Sequence, residues 1–561
     1  MLVLRYVNHN QTAEKPFLSR LNLKIFQNCK ILVFLQQKCH SMRYLIYSLS
    51  IIFIVFLSSC RKDFVFEPSN GELSFSKDTV YLDTVFKNIG SSTYKLKIYN
   101  KSGRDVSIPN IQLAKGLASK YRMIVDGTQG SNGKIFKNVE LLAKDSLFIF
   151  IETTADIVDA NPSDFLYTDK ILFGDGLSQQ KVELVTLIQD AFFIYPKKNN
   201  GVIETVPIGV DGAQTIVANG RDLIGNHPDN GNEFVWTSTK PYVVYGFASV
   251  PSGKTLTVNA GARIHFHVDS GLIVQNNATI KINGLPSTTI KQENEVVFEG
   301  DRLEPFYSNV PGQWGFVYLR QGSKDNVISN LTLKNAIVGL LISETANVTS
   351  IKNTQVYDCS NVGIYAQNTA INGENIVINA AGQVALACTR GGNYNFKHCT
   401  FNNDWNSTKQ VSVLIDNFYK DSAQQQVAEN LNEATFSNCI IYGSNQVQML
   451  LNRSTVPNKI FNYKFNNCLI KFNNVGIDFA TNTLYDFNNN ALYSNCIISK
   501  SSSESNPKFF NINKNRLNIN ETSGAFKKGS PSFVVPNDII GKPRTSNPPD
   551  LGAFQSAAFV P

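Results

Sequence analysis

The sequence predicts an all-β protein in two parts, an immunoglobulin-like (Ig-like) β-sandwich followed by a parallel β-helix. Three observations carry this prediction. A short apolar pattern recurs between Asn335 and Phe401, and a second pattern, Phe-x-x-Cys-x-Ile, recurs farther along the chain. Strand-like runs separated by turns fill the segment before residue 190. Helical spacing of apolar residues is hard to find, which favours strands throughout.

The first pattern places one small residue in each of three β-rich units. These residues are Gly339, Gly363 and Ala385. Short strands joined by Asn and Gly turns at this period are typical of one coil of a solenoid. A single coil cannot bury its apolar face alone, so coils stack and share a core. Residues 251–500 are therefore predicted to form a β-helix of about ten coils.

The second pattern places a cysteine at the same position of four repeats. Six cysteines fall in the repeat region, namely Cys359, Cys388, Cys399, Cys439, Cys468 and Cys496. An exported chain permits disulfides, and an even number of cysteines is consistent with them. Free cysteine, however, behaves as a small buried hydrophobe. We therefore predict a stack of aligned thiols, with disulfide bonds as the alternative.

Residues 73–190 are predicted to form the Ig-like sandwich. About seven short strand-like runs, separated by turn residues, are typical of this fold. No Cys…Trp…Cys trio lies there, which excludes an antibody-type domain. The expected role of the module is a spacer. Residues 191–250 give few signals and are interpreted as a junction, and residues 501–561 as a C-terminal closing segment.

The beginning of the chain carries the pattern of a secretory signal. Arg43 precedes an apolar run of about a dozen residues, and small residues follow the run before Cys60. The run is shorter than the ~20 residues that a membrane-spanning helix needs. We predict a signal peptide over residues 42–59, with an uncleaved anchor helix as the alternative, and a tether over residues 60–72. Residues 1–41 are interpreted as an upstream extension that does not belong to the functional chain.

Most of the net charge belongs to this leader. The chain has 52 Lys and Arg against 44 Asp and Glu, a formal net charge of +8. Residues 1–59 contain seven of the basic residues and one of the acidic residues, so the remainder carries +2. Bulk charge therefore gives no support for nucleic-acid binding.

Leu57-Ser-Ser-Cys60 resembles a bacterial lipobox, in which Cys60 would carry lipid and become the first mature residue. With the sandwich, the coils and the tail Asp550-Leu-Gly-Ala-Phe-Gln555, the chain resembles Bacteroidetes surface lipoproteins with right-handed parallel β-helix repeats. Such tails usually end in Glu, where this chain has Gln555. The resemblance implies a right-handed helix with the fold of pectate lyases. It also implies a lipid anchor in the outer membrane, with the protein in the cell envelope and facing the cell surface in some relatives. It implies no particular activity.

An acidic cluster with one arginine is the candidate for catalysis. A polysaccharide lyase needs a base beside a uronate and a cation to stabilise the anion formed. Arg302 would pair with a substrate carboxylate, and Asp301 or Glu304 would hold calcium, the single cofactor that the cluster admits. Acids and arginine in a loop commonly pair with each other instead, and we favour this interpretation. No catalytic residue and no metal site are assigned.

Histidines give a second, weaker candidate. His265 and His267 alternate with apolar residues, so both imidazoles would share one face of a strand. Such a pair could bind metal or sugar, but we favour a hydrogen-bonded pair without a ligand. His398 stands where the other Phe-x-x-Cys repeats carry Asn, which predicts a place in a ladder of turns.

Aromatic residues in the segments between repeats are the candidates for ligand binding. Trp405, Phe418 and Tyr419 lie beside Asn and Asp residues in the segment 402–434, which is interpreted as a loop. Residues 442–463 and 471–492 are interpreted in the same way. Aromatic rings stack on apolar sugar faces, while amides bond hydroxyl groups. The alternative is a loop anchored by its own aromatic residues.

The sequence hypothesis is a lipid-anchored envelope protein that binds carbohydrate, or adheres, without catalysis. Two alternatives stay open: a polysaccharide lyase acting through residues 301–304, and a structural scaffold for other surface proteins. A charged cluster of acid, arginine and lysine in a groove would favour the lyase. A strip of aromatic residues on one face would favour binding.

Overall fold

The computed structural model describes residues 64–211, 214–473, 479, 481–501 and 503–559, with backbone only for residues 210–211. The predicted upstream extension, the signal peptide 42–59 and Cys60 lie outside these residues. The chain forms two compact units, Met1–Phe66 and Glu67–Pro561. In the first unit, the rings of Phe64 and Phe66 lie 6.2 Å apart. Within the described ranges, no helix is long and apolar enough to cross a membrane.

Two sheets occupy the first part of the second unit. Sheet I contains the strands Glu67–Pro68, Val106–Leu113, Leu166–Phe173, Gln180–Gln189 and Thr79–Phe86 in this order, with Ile135–Leu141 beside Val106–Leu113. Sheet II contains Leu73–Phe75, Tyr94–Asn100, Ser146–Thr153 and Tyr121–Val125. Apolar residues alternate with polar ones along these strands, so each sheet buries one face. The two buried faces share one hydrophobic cluster.

Two larger sheets follow, and they are parallel except for the antiparallel pairing of Thr205–Asp211 with Gln214–Asp222. Sheet III contains Phe192–Ile194, Tyr242–Val244, Arg263–Phe266, Val296–Gly300, Leu331–Lys334, Gln355–Cys359, Val377–Ala381, Thr400–Asn403, Ile440–Gly443, Leu469–Lys471 and Ile497–Ser499. Sheet IV contains Thr205–Asp211, Gln214–Asp222, Val235–Trp236, Phe247–Val250, Thr255–Asn259, Gly271–Val274, Thr279–Asn283, Val317–Leu319, Val327–Ser329, Val338–Ser343, Thr349–Lys352, Val362–Glu374, Val384–Lys397, Val411–Asp416, Leu431–Ser437, Met449–Asn452, Lys464–Asn466 and Tyr493–Ser494.

The chain visits sheets III and IV in turn. Arg263–Phe266 lies in sheet III, and the next two strands, Gly271–Val274 and Thr279–Asn283, lie in sheet IV. Val296–Gly300 then returns to sheet III and pairs in parallel with Arg263–Phe266. The side chains between the two sheets form one continuous core that extends from Ile194 to Tyr493.

Smaller elements connect these sheets. Two hairpins pair Lys198–Asn199 with Val202–Ile203, and Phe418–Lys420 with Gln426–Ala428. Short 3₁₀ segments lie at Gly116–Ala118, Ile157–Asp159, Gly176–Ser178, Pro305–Asn309, Thr483–Tyr485, Ile512–Lys514 and Pro531–Phe533.

The small residues of the first repeat lie side by side, as the repeat predicts. The register pairs Leu340 with Ile364 and Ile364 with Leu386, which aligns Gly339, Gly363 and Ala385. A Cβ atom on Gly339 would lie 2.4 Å from the carbonyl oxygen of Gly363. Glycine is therefore required at this position by the close approach of two coils.

The second repeat stacks rings and thiols. The ring of Phe436 lies 5.1 Å from that of Phe396 and 4.9 Å from that of Phe465, and both pairs are stacked. All six cysteines of the repeat region are free, which confirms the predicted thiols. The Sγ atom of Cys468 donates to the carbonyl oxygen of Phe436 at 3.4 Å, and Cys439 makes the equivalent bond to Phe396 at 3.6 Å. Cys439 and Cys468 thus each donate to a backbone carbonyl group of the preceding repeat.

The predicted ladder of turns is also confirmed. His398, Asn438, Asn467 and Asn495 have φ angles of 51°, 55°, 48° and 51°. Asn is the residue that most readily adopts this left-handed conformation after Gly. His398 is buried, and its Nε2 accepts a hydrogen bond of 3.0 Å from Asn438. Burial holds the pKa of His398 well below its usual value, so the imidazole is neutral.

Two sequence interpretations need correction. Residues 191–250 are not a separate connector, because Phe192–Ile194 already pairs in parallel with Tyr242–Val244 in sheet III. The predicted loops are also not loops throughout. Val411–Asp416 and Met449–Asn452 lie within the segments 402–434 and 442–463, yet they pair with each other as strands of sheet IV. The repeat motifs mark only some of the strands in each coil. The sequence therefore does not predict the strands that carry no motif.

The C-terminal segment, residues 503–559, packs along the outer face of sheet III. Asn379 donates to the carbonyl oxygen of Ile512 at 3.1 Å, and Asn375 donates to that of Asn537 at 2.9 Å. Tyr357 and Val377 of sheet III share a hydrophobic cluster with residues of this segment, including Phe554. The segment therefore covers part of the outer face of sheet III.

Candidate functional site

The predicted acid–arginine cluster lies in a cleft that we call the junction cleft. The cleft has a volume of about 310 Å³ and lies between Leu82–Tyr94 and the first turns of sheets III and IV. Asp301, Arg302 and Glu304 line it together with His267. The structure thus brings the three predicted residues into one concave site.

Arg302 and Glu304 neutralise each other there. Arg302 Nη2 lies 3.2 Å from Glu304 Oε1 and donates to Ser92 Oγ at 2.8 Å. The Arg302 guanidinium also lies over the ring of Tyr307, 3.9 Å from its centroid. Burial acts to raise the pKa of Glu304, but hydrogen bonds from Ser92 and Arg302 hold it below its usual value. Arg302 is therefore occupied by partners within the protein.

Asp301 pairs with a histidine. Asp301 Oδ2 lies 2.7 Å from His267 Nδ1, and the His267 ring lies 4.4 Å from that of Tyr245. The hydrogen bond to Asp301 raises the pKa of His267 above its usual value. Sequence reasoning missed this pair, although the register offers a signal. Phe266 pairs with Gly300, so the next residues on the two strands are His267 and Asp301.

His265 is buried and hydrogen-bonded, as favoured from the sequence. Its Nδ1 lies 3.3 Å from the carbonyl oxygen of Gly300 and 3.7 Å from Glu299 Oε1. Burial lowers the pKa of His265. Glu299 in turn pairs with Lys334 at 2.7 Å. Within the described residues, no group of three or more His, Cys, Asp or Glu side chains is arranged to hold a metal ion.

The junction cleft therefore lacks a free set of lyase groups. The His267–Asp301 pair has the geometry of a base with its orienting acid. The cation that would stabilise a uronate anion, Arg302, is held by Glu304 and Ser92. This pairing is the arrangement that the sequence favoured for the cluster.

The predicted aromatic residues lie at opposite ends of one strand of sheet IV. Trp405 is half-buried, and its ring lies over Gly382 near the start of Val411–Asp416. Phe418 and Tyr419 follow the end of that strand in a hairpin. The Arg390 guanidinium lies 4.3 Å from the centroid of the Tyr419 ring. A strand of this length separates the two groups by about 17 Å.

Between these groups, the outer face of sheet IV carries a row that we call the outer strip. The row consists of Tyr318, Leu341, Tyr365, Ala387, Leu414 and Leu450, each paired in register with the next. Their strand neighbours, such as Leu340 and Ile342, belong to the inner core, so the strip faces outward. Tyr318, Tyr365 and Leu414 are half-buried and pack on the buried Leu341 and Ala387.

A polar row lies beside the outer strip. Ser343 pairs with Gln367, and Gln367 pairs with Thr389, two residues along each strand from the strip. Apolar and hydrogen-bonding side chains therefore run in parallel across successive coils. Ser343 and Thr389 are buried, whereas Gln367 is half-buried. An extended ligand could therefore contact rings and aliphatic groups on one side and the Gln367 amide on the other.

Sequence reasoning missed the outer strip, although part of its signal was present. Leu341, Tyr365 and Ala387 occupy equivalent places in the three units of the first repeat. Alternation along the strand would have placed them outside once the register was fixed. Tyr318 and Leu414 lie outside those units, so only the three-dimensional register reveals the complete row.

Residues 252–401 match the family model described as "Right handed beta helix region". The match covers the strands from Thr255–Asn259 to the first half of Thr400–Asn403, including four of the six residues of the outer strip. The chain thus contains a right-handed β-helix region in an all-β structure.

No curated protein matches the chain. Among solved structures, the chain is similar to the ASH / PapD-like domain of human CEP192 (PapD-like domain 7) at 12% identity. That similarity covers 22% of this chain and 91% of the domain, with a TM-score of 0.14. A likeness at this TM-score carries no argument about fold or function.

Proposed function

We propose that this chain is a cell-envelope protein that binds carbohydrate on the outer strip without cleaving it. The observation that carries the proposal is the outward row of Tyr318, Leu341, Tyr365, Ala387, Leu414 and Leu450 beside a row of polar side chains. A charged cluster in a groove would favour a lyase, whereas an aromatic strip on one face would favour binding. The outer strip is an arrangement of the second kind.

The spacing of the strip suits a polysaccharide. A pyranose ring has apolar C–H faces and hydroxyl groups around its edge. Tyr318 and Tyr365 supply aromatic surface, and the half-buried Gln367 supplies an amide for hydrogen bonding. Strands in a sheet are about 4.8 Å apart, so the six rungs of the strip extend over about 24 Å. An extended sugar chain would therefore place successive residues on successive rungs.

The pairing in the junction cleft supports a non-catalytic role. Arg302 is bound by Glu304 and Ser92, and Asp301 by His267. A lyase would need to break these contacts before it could bind a uronate carboxylate. Polysaccharide cleavage is therefore the alternative that the first experiment must separate from binding.

The proposed anchor and spacer follow from the sequence. Cys60 in its lipobox-like segment would carry the lipid that holds the protein in the outer membrane, as in the Bacteroidetes lipoproteins that the chain resembles. Residues 73–190 would form an Ig-like spacer, which the shared core of sheets I and II supports. Residues 251–500 would form about ten coils beyond it. Mass spectrometry of the mature protein tests the anchor, because Cys60→Ser should abolish an acylated N-terminal peptide.

A retention assay tests the binding role. The full chain, purified in detergent and immobilised, is incubated with neutral and acidic polysaccharides, with and without calcium. We expect at least one polysaccharide to be retained with its chain length unchanged. Shortened chains would contradict the proposal and support the lyase. Neither retention nor cleavage would also contradict it and leave the scaffold role.

A further inference from the structure

A second concave surface differs from the outer strip in place and in charge. It lies between the outer face of sheet III and the C-terminal segment and has a volume of about 550 Å³. We call it the C-terminal cleft. Gln355 lies on its sheet side, and Phe510, Lys514, Arg516 and Lys542 lie on the side of the C-terminal segment.

Three cations of this cleft have no carboxylate partner. Among the described residues, none of Lys514, Arg516 and Lys542 forms an ion pair, and Lys514 and Lys542 are exposed. The Arg516 guanidinium lies over the Phe510 ring, 5.0 Å from its centroid. Lys542 Nζ donates to the carbonyl oxygen of Ser556 at 3.1 Å. Positive charge is thus concentrated on one wall without compensation.

The acidic group in the cleft does not balance these cations. Glu295 accepts hydrogen bonds from Thr332 at 2.6 Å, Gln355 at 3.1 Å and Gln292 at 3.2 Å. Burial raises the pKa of Glu295, and even when ionised this one carboxylate does not compensate three cations. A fourth cation at the cleft, Lys334, is already paired with Glu299.

The cleft also offers apolar surface. The rings of Phe510 and Phe559 lie 4.9 Å apart on the same wall as the cations. Ile290 and Ile540 at the rim are 85% and 50% exposed. Cations, amides and aromatic rings therefore converge on a volume within the range of about 300–1,000 Å³ typical of small-ligand sites.

We propose that the C-terminal cleft binds an acidic oligosaccharide through a sugar carboxylate. The planar fork of Arg516 matches a carboxylate bidentately. Lys514 and Lys542 add attraction for negative charge, and the rings of Phe510 and Phe559 contact the apolar face of the sugar. This second site is independent of the outer strip, whose apolar and neutral polar rows do not select for charge.

A matched pair of ligands tests the charge requirement. Isothermal titration calorimetry of the full chain in detergent uses a hyaluronan hexasaccharide and its carboxyl-reduced form, which keeps the sugar rings but removes the charge. We expect the acidic form to bind at least about tenfold more tightly, because hydrogen bonds to charged groups contribute that much. Its affinity should fall as salt is raised. Equal affinity for the two forms, or no binding of either, would overturn the proposal.

Variants locate the site. Lys514→Ala/Arg516→Ala should weaken binding of the acidic hexasaccharide at least about tenfold, whereas Lys528→Ala removes an exposed lysine of the same segment outside the cleft and should leave it unchanged. Arg516→Lys should retain part of the affinity, because it keeps the charge but loses the fork. Melting temperatures should match that of the parent protein, since the substituted cations form no ion pairs. Parent-like affinity in the double variant would overturn the proposal.

The two carbohydrate proposals fail separately. Tyr318→Ala/Tyr365→Ala alters the outer strip and should leave hexasaccharide binding at the C-terminal cleft unchanged. Retention of neutral polysaccharide, in turn, should not respond to Lys514→Ala/Arg516→Ala. Absence of one binding activity from the parent protein, or its persistence in the matching variant, therefore overturns that one proposal and leaves the other.

Discussion

The junction cleft and the outer strip contain opposite kinds of side chain. In the junction cleft, Arg302 and Asp301 are held by Glu304 and His267. On the outer strip, Tyr365 and Leu414 are half-exposed, and the half-buried Gln367 lies two residues from Tyr365. The comparison shows that charged residue types alone do not identify a site. Whether those groups are already paired within the protein decides how much they can contribute to a ligand.

The largest effect is expected for the largely buried charge pair between Arg221 and Glu233. Arg221 and Glu233 have side chains that are 9% and 1% exposed, and Arg221 Nη1 lies 2.7 Å from Glu233 Oε2. Glu233→Gln should lower the free energy of unfolding by about 3–5 kcal/mol, because it leaves a buried guanidinium uncompensated. Urea denaturation measures the change.

Glu183→Gln is the matched control. Glu183 is 35% exposed and pairs with Lys170 and Lys181. Surface pairs of this kind contribute less than about 1 kcal/mol. Equal losses for the two substitutions would show that burial of the Arg221–Glu233 pair does not set its contribution.

A second prediction concerns Gly339, on the inner face of the coils that carry the outer strip. Gly339→Ala would place a Cβ atom 2.4 Å from the carbonyl oxygen of Gly363. We expect a loss of about 1–3 kcal/mol in the free energy of unfolding, because the coils must separate. Gly103→Ala, where nothing lies within 4 Å, should leave the stability unchanged or slightly higher. A neutral Gly339→Ala would contradict the stacking of the first repeat.

Arg302→Ala should have a smaller effect on stability. Its side chain is 43% exposed, so loss of its pair with Glu304 should cost less than about 1 kcal/mol. Retention and chain length of bound polysaccharide should not change. Arg104→Ala, a more exposed arginine that pairs with Glu67, is the control for loss of one surface cation. If Arg302→Ala abolished a cleavage activity, the junction cleft would be catalytic after all.

The smallest effect is a dependence on pH. The hydrogen bond to Asp301 raises the pKa of His267 above the ordinary value of about 6.5. The contribution of the His267–Asp301 pair to the free energy of unfolding is therefore complete below about pH 6.5. It is lost as the pH rises through the raised pKa of His267. The difference in unfolding free energy between the parent protein and His267→Asn should shrink over that rise. Asp301→Asn should remove the same dependence, and a difference that grew with pH would contradict the pairing.

The sequence predicted the stacked elements because their signals are local. Phe436 and Cys439 recur within a short motif, and Asn438 marks the left-handed turn between them. The strands Val411–Asp416 and Met449–Asn452 carry no motif and were interpreted as loops. Motif spacing therefore predicted the coils but not every strand within them.

The candidate sites depended on contacts between distant residues. Ser92 and Arg302 are 210 positions apart, and Asn379 and Ile512 are 133 apart. No repeat relates these segments, so neither the contact of Ser92 with Arg302 nor the C-terminal cleft could be predicted. Residues 301–304 are close in sequence and line one cleft, whereas the outer strip is visible only from the register between coils.

The central claim is that the outer strip binds carbohydrate, and affinity electrophoresis of two tyrosine variants tests it most directly. Tyr318→Ala/Tyr365→Ala removes both rings of the strip, and Tyr81→Ala removes a tyrosine that is 64% exposed on sheet I. With a polysaccharide that the parent protein retains, the double variant should bind at least about tenfold more weakly, at about 1 kcal/mol per ring. Tyr81→Ala should bind like the parent. Parent-like binding by a folded double variant would contradict the account.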